Sequence, residues 1–117
     1  MNKLIYSILF TTLLICSCQR HSNNNIDSQQ IYLFYFDACP HCHDAQTFIN
    51  QNYPKLHINK IDVNTSRGYQ MFLECAAKHN LGKNIGTPLF CMGENYIMGW
   101  SKQSAGRFNA YVKPFLK

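Results

Sequence analysis

The chain has 117 residues and a formal charge of +5, which allows one small domain. Its lysines and arginines stand singly, without a basic run or stripe, so nothing in the charge pattern argues for nucleic-acid binding. What remains is a weak, unspecific attraction to an anionic membrane surface.

Met1-Asn2-Lys3 supplies one positive charge, and the stretch from Leu4 to Ile15 is apolar apart from Tyr6, Ser7, Thr11 and Thr12. The run is short for a membrane span and has the shape of a secretory signal. It ends in Ile15-Cys16-Ser17-Cys18. An aliphatic residue three before a cysteine, and a small one directly before it, resemble a bacterial lipoprotein signal. The resemblance implies that residues 1–17 are a signal peptide. It also implies that Cys18 becomes the first mature residue, with diacylglycerol on its sulfur and an acylated amino terminus. Cys16 fits less well, because Ile15 before it is bulky. The alternatives are a signal cut elsewhere and an uncleaved anchor. Residues 18–30 are polar, with Ile26 as the one large aliphatic residue. They read as a flexible tether in which His21 is solvated. A lipid-anchored protein of the cell envelope or periplasm works where disulfides persist. Its other cysteines, Cys39, Cys42, Cys75 and Cys91, are therefore expected to be redox-active or bridged.

Residues 31–117 form the expected domain. Ile31 to Phe36 is an unbroken apolar and aromatic run, suited to a strand buried on both faces. Asp37-Ala38 leads into Cys39-Pro40-His41-Cys42-His43. Pro40 suits the first turn of a helix, where its missing N–H costs nothing. That helix carries Cys42, Ala45, Phe48, Ile49 and Asn52, and Pro54 stops it. Leu56 to Val63 reads as a second strand whose alternation slips near Asn59-Lys60, by a bulge or by a later start. Asn64-Thr65-Ser66 offers caps for a second helix. Its expected apolar face is Tyr69, Phe72, Leu73, Ala76 and Ala77, its first turn is weakened by Gly68, and it ends near Leu81-Gly82. Thr87-Pro88 precedes a short strand, Leu89 to Met92. Gly93-Glu94-Asn95 is a turn, and Tyr96 to Met98 is the partner strand. Ser101 caps a last helix with Ala105, Phe108, Val112 and Phe115 in a stripe, ending at Pro114. The order β-α-β-α-β-β-α predicts an α/β domain: a four-stranded mixed sheet covered by three helices. The first two strands should be parallel and the final hairpin antiparallel.

The strand–CxxC–helix context points to a redox dithiol. A cysteine at a helix N-terminus meets unpaired N–H groups and the positive end of the helix dipole, and both favour the thiolate. Cys39 has that place, and Cys42 lies one turn inward, facing the sheet. The spacing allows an exposed Cys39 thiolate to form a mixed disulfide that Cys42 resolves. His41, between them, is placed to stabilise the thiolate and so to make the disulfide a stronger oxidant.

Strand, Cys39-Pro40-His41-Cys42, helix and a later Thr87-Pro88 before a hairpin resemble the thioredoxin superfamily, over about residues 31 to 115. Pro40-His41 looks like the dipeptide of the periplasmic Dsb-type thiol oxidases. The compact length and the run from Gly86 to Ser101 look more like a small glutaredoxin. The resemblance implies a cis Pro88 beside the dithiol and a Thr87 whose backbone pairs with a bound peptide or glutathione. It implies a thiol–disulfide oxidoreductase without a cofactor. Its partners would be protein or small thiols and disulfides of the cell envelope and a further redox partner. Where many thioredoxins carry a buried acid near the resolving cysteine, this chain has Leu33. It also lacks room for the helical insertion of the Dsb-type oxidases. Cys75 and Cys91 could form a structural disulfide or remain two small buried thiols. A relay of disulfides through Cys91 is a third option.

Two rival readings use the same residues. Cys39, Cys42 and His43 spell the attachment pattern of a c-type haem, with Met71, Met92 or Met98 as a second axial ligand. A periplasmic metal carrier would use Cys39, Cys42, His41 and His43. Otherwise His43, His57 and His79 are expected to be surface residues.

Overall fold

A computed structural model describes residues 25–117. The expected signal peptide (residues 1–17), Cys16, the expected lipidation site Cys18, His21 and the expected tether as far as residue 24 lie outside the described residues.

The strands are β1 (Ile31–Tyr35), β2 (Asn59–Asp62), β3 (Leu89–Met92) and β4 (Asn95–Met98). The helices are α1 (Pro40–Asn52), α2 (Ser66–Lys78) and α3 (Lys102–Tyr111), followed by a 3-10 turn at Lys113–Phe115. The sheet order is β2-β1-β3-β4, with β1 and β2 parallel and the other neighbours antiparallel. This is the mixed four-stranded sheet with three helices that the sequence predicts.

Alternation along the strands sorts the core into two layers. Leu33, Phe90 and Ile97 stand side by side in the register and face α1 and α3, where they meet Ala45, Ile49, Phe108 and Val112. Phe34, Leu89 and Cys91 face the other way, onto Met71, Phe72 and Cys75 of α2. Both faces of β1 are therefore covered, which is why its sequence is a continuous apolar run. The slip in the second strand has the same origin. Leu56 and Ile58 pack in the α1 layer, and Ile61 and Val63 in the α2 layer. The strand starts late, at Asn59, and pairs with Tyr32 to Tyr35 without interruption.

Local chemistry sets most element ends. Pro40 opens α1. Thr65 caps α2 by accepting from the Gly68 amide, and Ser101 with Ser104 forms a reciprocal capping box on α3. Gly93, at φ 63°, is the first residue of the two-residue β3–β4 turn, as a type II′ hairpin requires.

Four expectations need correction. The buried face of α2 is Gly68, Met71, Phe72, Cys75 and Ala76, whereas Tyr69 and Leu73 are 50% and 42% exposed. Gly68 fixes this rotation. A Cβ there would run into the Asp62 carbonyl oxygen, so this side of the first turn lies directly on the end of β2. Gly68 is the point of close approach rather than a weak spot. The helix also ends sooner, at Lys78. Asn80 adopts φ 55°, its amide donates to Ala77 O, and the Leu81 amide donates to Ala76 O. This is a Schellman ending with asparagine in the left-handed position. Finally, the last residues of the expected tether lie against the domain. The Asn25 backbone and side chain donate to the Glu74 carboxylate, the Asp27 amide donates to the Tyr32 hydroxyl, and Ile26 packs on the α2 layer.

Candidate dithiol site

Cys39 is the N-cap of α1, with extended backbone angles. It follows a turn in which its own amide donates to Phe36 O at 3.2 Å. Cys42 is one turn along, and Cys39 and Cys42 are joined as a disulfide with their Cα atoms 5.2 Å apart. The Cys42 amide, in the first helical turn, is shared between the Cys39 carbonyl at 3.1 Å and Cys39 Sγ at 3.2 Å. The Thr87 hydroxyl donates to the same sulfur at 3.5 Å. Two donors thus converge on the atom where a thiolate develops, and both favour that charge.

Access to the pair is unequal. Cys39 is 5% exposed and Cys42 not at all. Cys39 is therefore less open than a freely exposed thiolate, but of the two cysteines it alone reaches solvent.

Thr87 and Pro88 form the loop entering β3, and the bond between them is cis. Pro88 is buried, and its carbonyl accepts from the Gly99 amide at 2.8 Å. Gly99, just past β4, has φ 80°. It thereby ties the end of the hairpin to the loop that carries Thr87. Behind α1, Trp100 packs in tilted contact with both Phe48 and Phe90, with ring centroids at 5.3 and 5.7 Å. Gly99-Trp100 does more than end the strand: it fixes the loop and braces α1.

His41 is exposed at the second position of α1, and among the described residues it makes no hydrogen bond to Cys39. Any effect it has on the sulfur acts through charge. His43, expected to be a bystander, has a partner: its Nε2 lies 2.6 Å from the Asp37 carbonyl. A carbonyl only accepts, so His43 donates through Nε2 and braces the turn that leads into Cys39. The acceptor is a backbone carbonyl, so no residue type in the sequence marks this contact. Leu33, at the position where many thioredoxins place an acid, is fully buried among apolar side chains.

The rival readings fit the geometry poorly. His43 is engaged with Asp37 O, and Met71 belongs to the α2 layer, on the other side of the sheet from α1. Among the described residues, Cys39, His41, Cys42 and His43 are not a set of donors close enough to share an ion.

Cys75 of α2 and Cys91 of β3 are joined in a second disulfide, fully enclosed in the α2 layer. The sheet separates it from α1, which argues against a direct relay of disulfides through Cys91.

No family model matches the chain, and no curated protein matches it in sequence. Solved structures do match. The glutaredoxin Grx-1 of Archaeoglobus fulgidus superposes with a TM-score of 0.52 at 13% identity, over 72% of this chain and 86% of that one. The fold is thioredoxin-like, of the glutaredoxin kind. A buckwheat glutaredoxin, solved as its glutathione complex, matches with a TM-score of 0.50 at 18% identity, over 73% of this chain and 74% of that one. The strand, dithiol, helix and later Thr87-Pro88 loop of this glutaredoxin-like fold follow one another as the sequence predicts.

Proposed function

We propose that the chain is a thiol–disulfide oxidoreductase that works through Cys39 and Cys42. The observation that carries this reading is the pair of donors on Cys39 Sγ, the Cys42 amide and the Thr87 hydroxyl. Donors placed on a sulfur that is also the helix N-cap favour its thiolate, and the thiolate is the attacking species in disulfide exchange.

In the reduced protein Cys39 S⁻ attacks one sulfur of a substrate disulfide. The other substrate sulfur leaves as a thiolate and takes up a proton. Cys42, having lost its own proton, attacks Cys39 Sγ and releases the second substrate thiol. Two electrons have then passed from the dithiol to the substrate. The reverse sequence oxidises a substrate dithiol. Thr87 and the cis Pro88 flank Cys39 and form the edge against which a substrate backbone is held. The substrates are protein or small thiols, and the reaction takes no cofactor.

The reading extends to direction and place. Pro40-His41 supports an oxidising poise, because an imidazolium near the Cys39 thiolate stabilises the reduced form. The N-terminal pattern supports export to the cell envelope and attachment to a membrane through a lipid on Cys18.

Three measurements test these points. Catalysed exchange with a peptide disulfide should be abolished in Cys39→Ser; retained activity there would refute the mechanism. The reduction potential should lie toward about −120 mV, and a value near −270 mV would mark a reductant instead. A labelled fatty acid should enter the wild-type chain and not Cys18→Ser.

A further inference from the structure

The α2 layer contains a second group of reactive side chains that the dithiol chemistry does not use. Cys75 lies in α2, and His79 is the residue that ends it, four positions on, so the two share one face. Cys91 comes from β3. One ligand atom from each of Cys75, His79 and Cys91 lies within 4.8 Å of the other two. The Schellman ending at Asn80 and Leu81 fixes the backbone just after His79, and the His79 ring packs on Tyr96 at 5.1 Å.

His79 carries an unanswered polar atom. Its Nε2 is enclosed and, among the described residues, has no hydrogen-bond partner, an arrangement that native proteins rarely leave without a reason. Burial, followed by the charge of Lys78, lowers its pKa from the ordinary 6.5, against the opposing effect of Glu94.

We propose that Cys75, Cys91 and His79 form a binding site for a thiophilic divalent cation, zinc, whenever the two cysteines are reduced. Two sulfurs and one imidazole nitrogen are a donor set that zinc takes in proteins, with a fourth position left for water. Two thiolates cancel the charge of Zn²⁺, so loading adds no net charge to a buried layer.

The chain is synthesised with thiols, so loading requires no reductant. Zn²⁺ binds Cys75 S⁻, Cys91 S⁻ and the neutral His79, and two thiol protons are released. Forming the Cys75–Cys91 disulfide then ejects the ion. Two electrons pass from the two sulfurs to an acceptor disulfide, which becomes two thiols on taking up two protons. The bridge and the ion are alternative occupants of one place. The site is independent of the Cys39–Cys42 reading, because α1 and α2 lie on opposite faces of the sheet.

The test uses the full chain carrying Cys16→Ser, Cys18→Ser, Cys39→Ser and Cys42→Ser, which removes the other four cysteines as ligands. Under a phosphine reductant, titration with Co²⁺ should give a tetrahedral spectrum with thiolate charge-transfer bands at one equivalent, and Zn²⁺ should displace it. The oxidised protein should give none. Adding Cys75→Ser and Cys91→Ser should abolish it, and adding His79→Ala should weaken binding by at least about tenfold, no less than the loss of an outer-shell partner does. Failure of the reduced protein to bind cobalt, or an unchanged affinity with His79→Ala, overturns the proposal. If circular dichroism shows that the reduced chain unfolds, zinc should restore the native spectrum. A chain that stays unfolded with zinc overturns it equally.

Discussion

The Thr87 hydroxyl donates to Cys39 Sγ at 3.5 Å, across 48 positions of sequence. This contact joins the loop before β3 to the N-cap of α1. Thr87→Val keeps the shape and removes the donor. The reduced Cys39 should then be alkylated more slowly at neutral pH, by about two- to tenfold, the range set by one net hydrogen bond. Its alkylation profile should move to higher pH. An unchanged profile would mean that the hydroxyl does not stabilise the thiolate.

The second disulfide should matter to stability and not to exchange. Cys75 and Cys91 are 16 residues apart, and closing a loop of that length restricts the unfolded chain by about 3 kcal/mol. Cys75→Ala with Cys91→Ala should lower unfolding stability in urea by about that amount. The reduction potential of Cys39–Cys42 should stay unchanged, because the sheet lies between the two pairs.

Two glycines should respond in opposite ways. At Gly68 an added Cβ meets the Asp62 carbonyl, a backbone atom that cannot turn aside. Gly68→Ala should therefore destabilise by about 1–3 kcal/mol, the usual cost of overpacking. Gly106 lies in α3 with open space where its Cβ would be. Gly106→Ala should stabilise by up to about 1 kcal/mol. Urea unfolding curves for the two variants check both signs.

His79 should make the fold sensitive to acid. Its pKa is lowered in the folded protein, chiefly by burial, so the unfolded chain binds more protons as pH falls through 6.5. The stability associated with the neutral ring is fully present above that value. It is lost progressively as pH drops from there toward the lower folded pKa. His79→Gln should flatten the fall in melting temperature across this range, and an identical pH dependence in both proteins would count against a buried neutral His79.

The parts of the fold that were legible in sequence rest on local chemistry. The apolar run of Ile31 to Phe36, Pro40 at the start of α1, the caps Thr65 and Ser101 and the glycine turn at Gly93 each act on their neighbours. The features that were not legible depend on distant contacts. Two helical stripes compete on α2. The one through Met71 and Cys75 is buried because Gly68 lies against β2 and Cys75 meets Cys91. Asn25 to Gln30 is polar, and composition alone could not show that Glu74 and Tyr32 supply partners for it. At the site, the order of cysteines, proline and threonine was readable, whereas the bonds from His43 to Asp37 O and from Gly99 to Pro88 O arise only once the chain has turned.

The division of labour between the two cysteines is the central claim, and trapping tests it most directly. The Cys42→Ser protein, reduced and mixed with a peptide disulfide, should accumulate a mixed disulfide that peptide mass mapping places on Cys39. Cys39→Ser under the same conditions should accumulate none. A peptide linked to any other residue in Cys42→Ser, or an equal yield from Cys39→Ser, would contradict the assignment of Cys39 as nucleophile and Cys42 as resolving thiol.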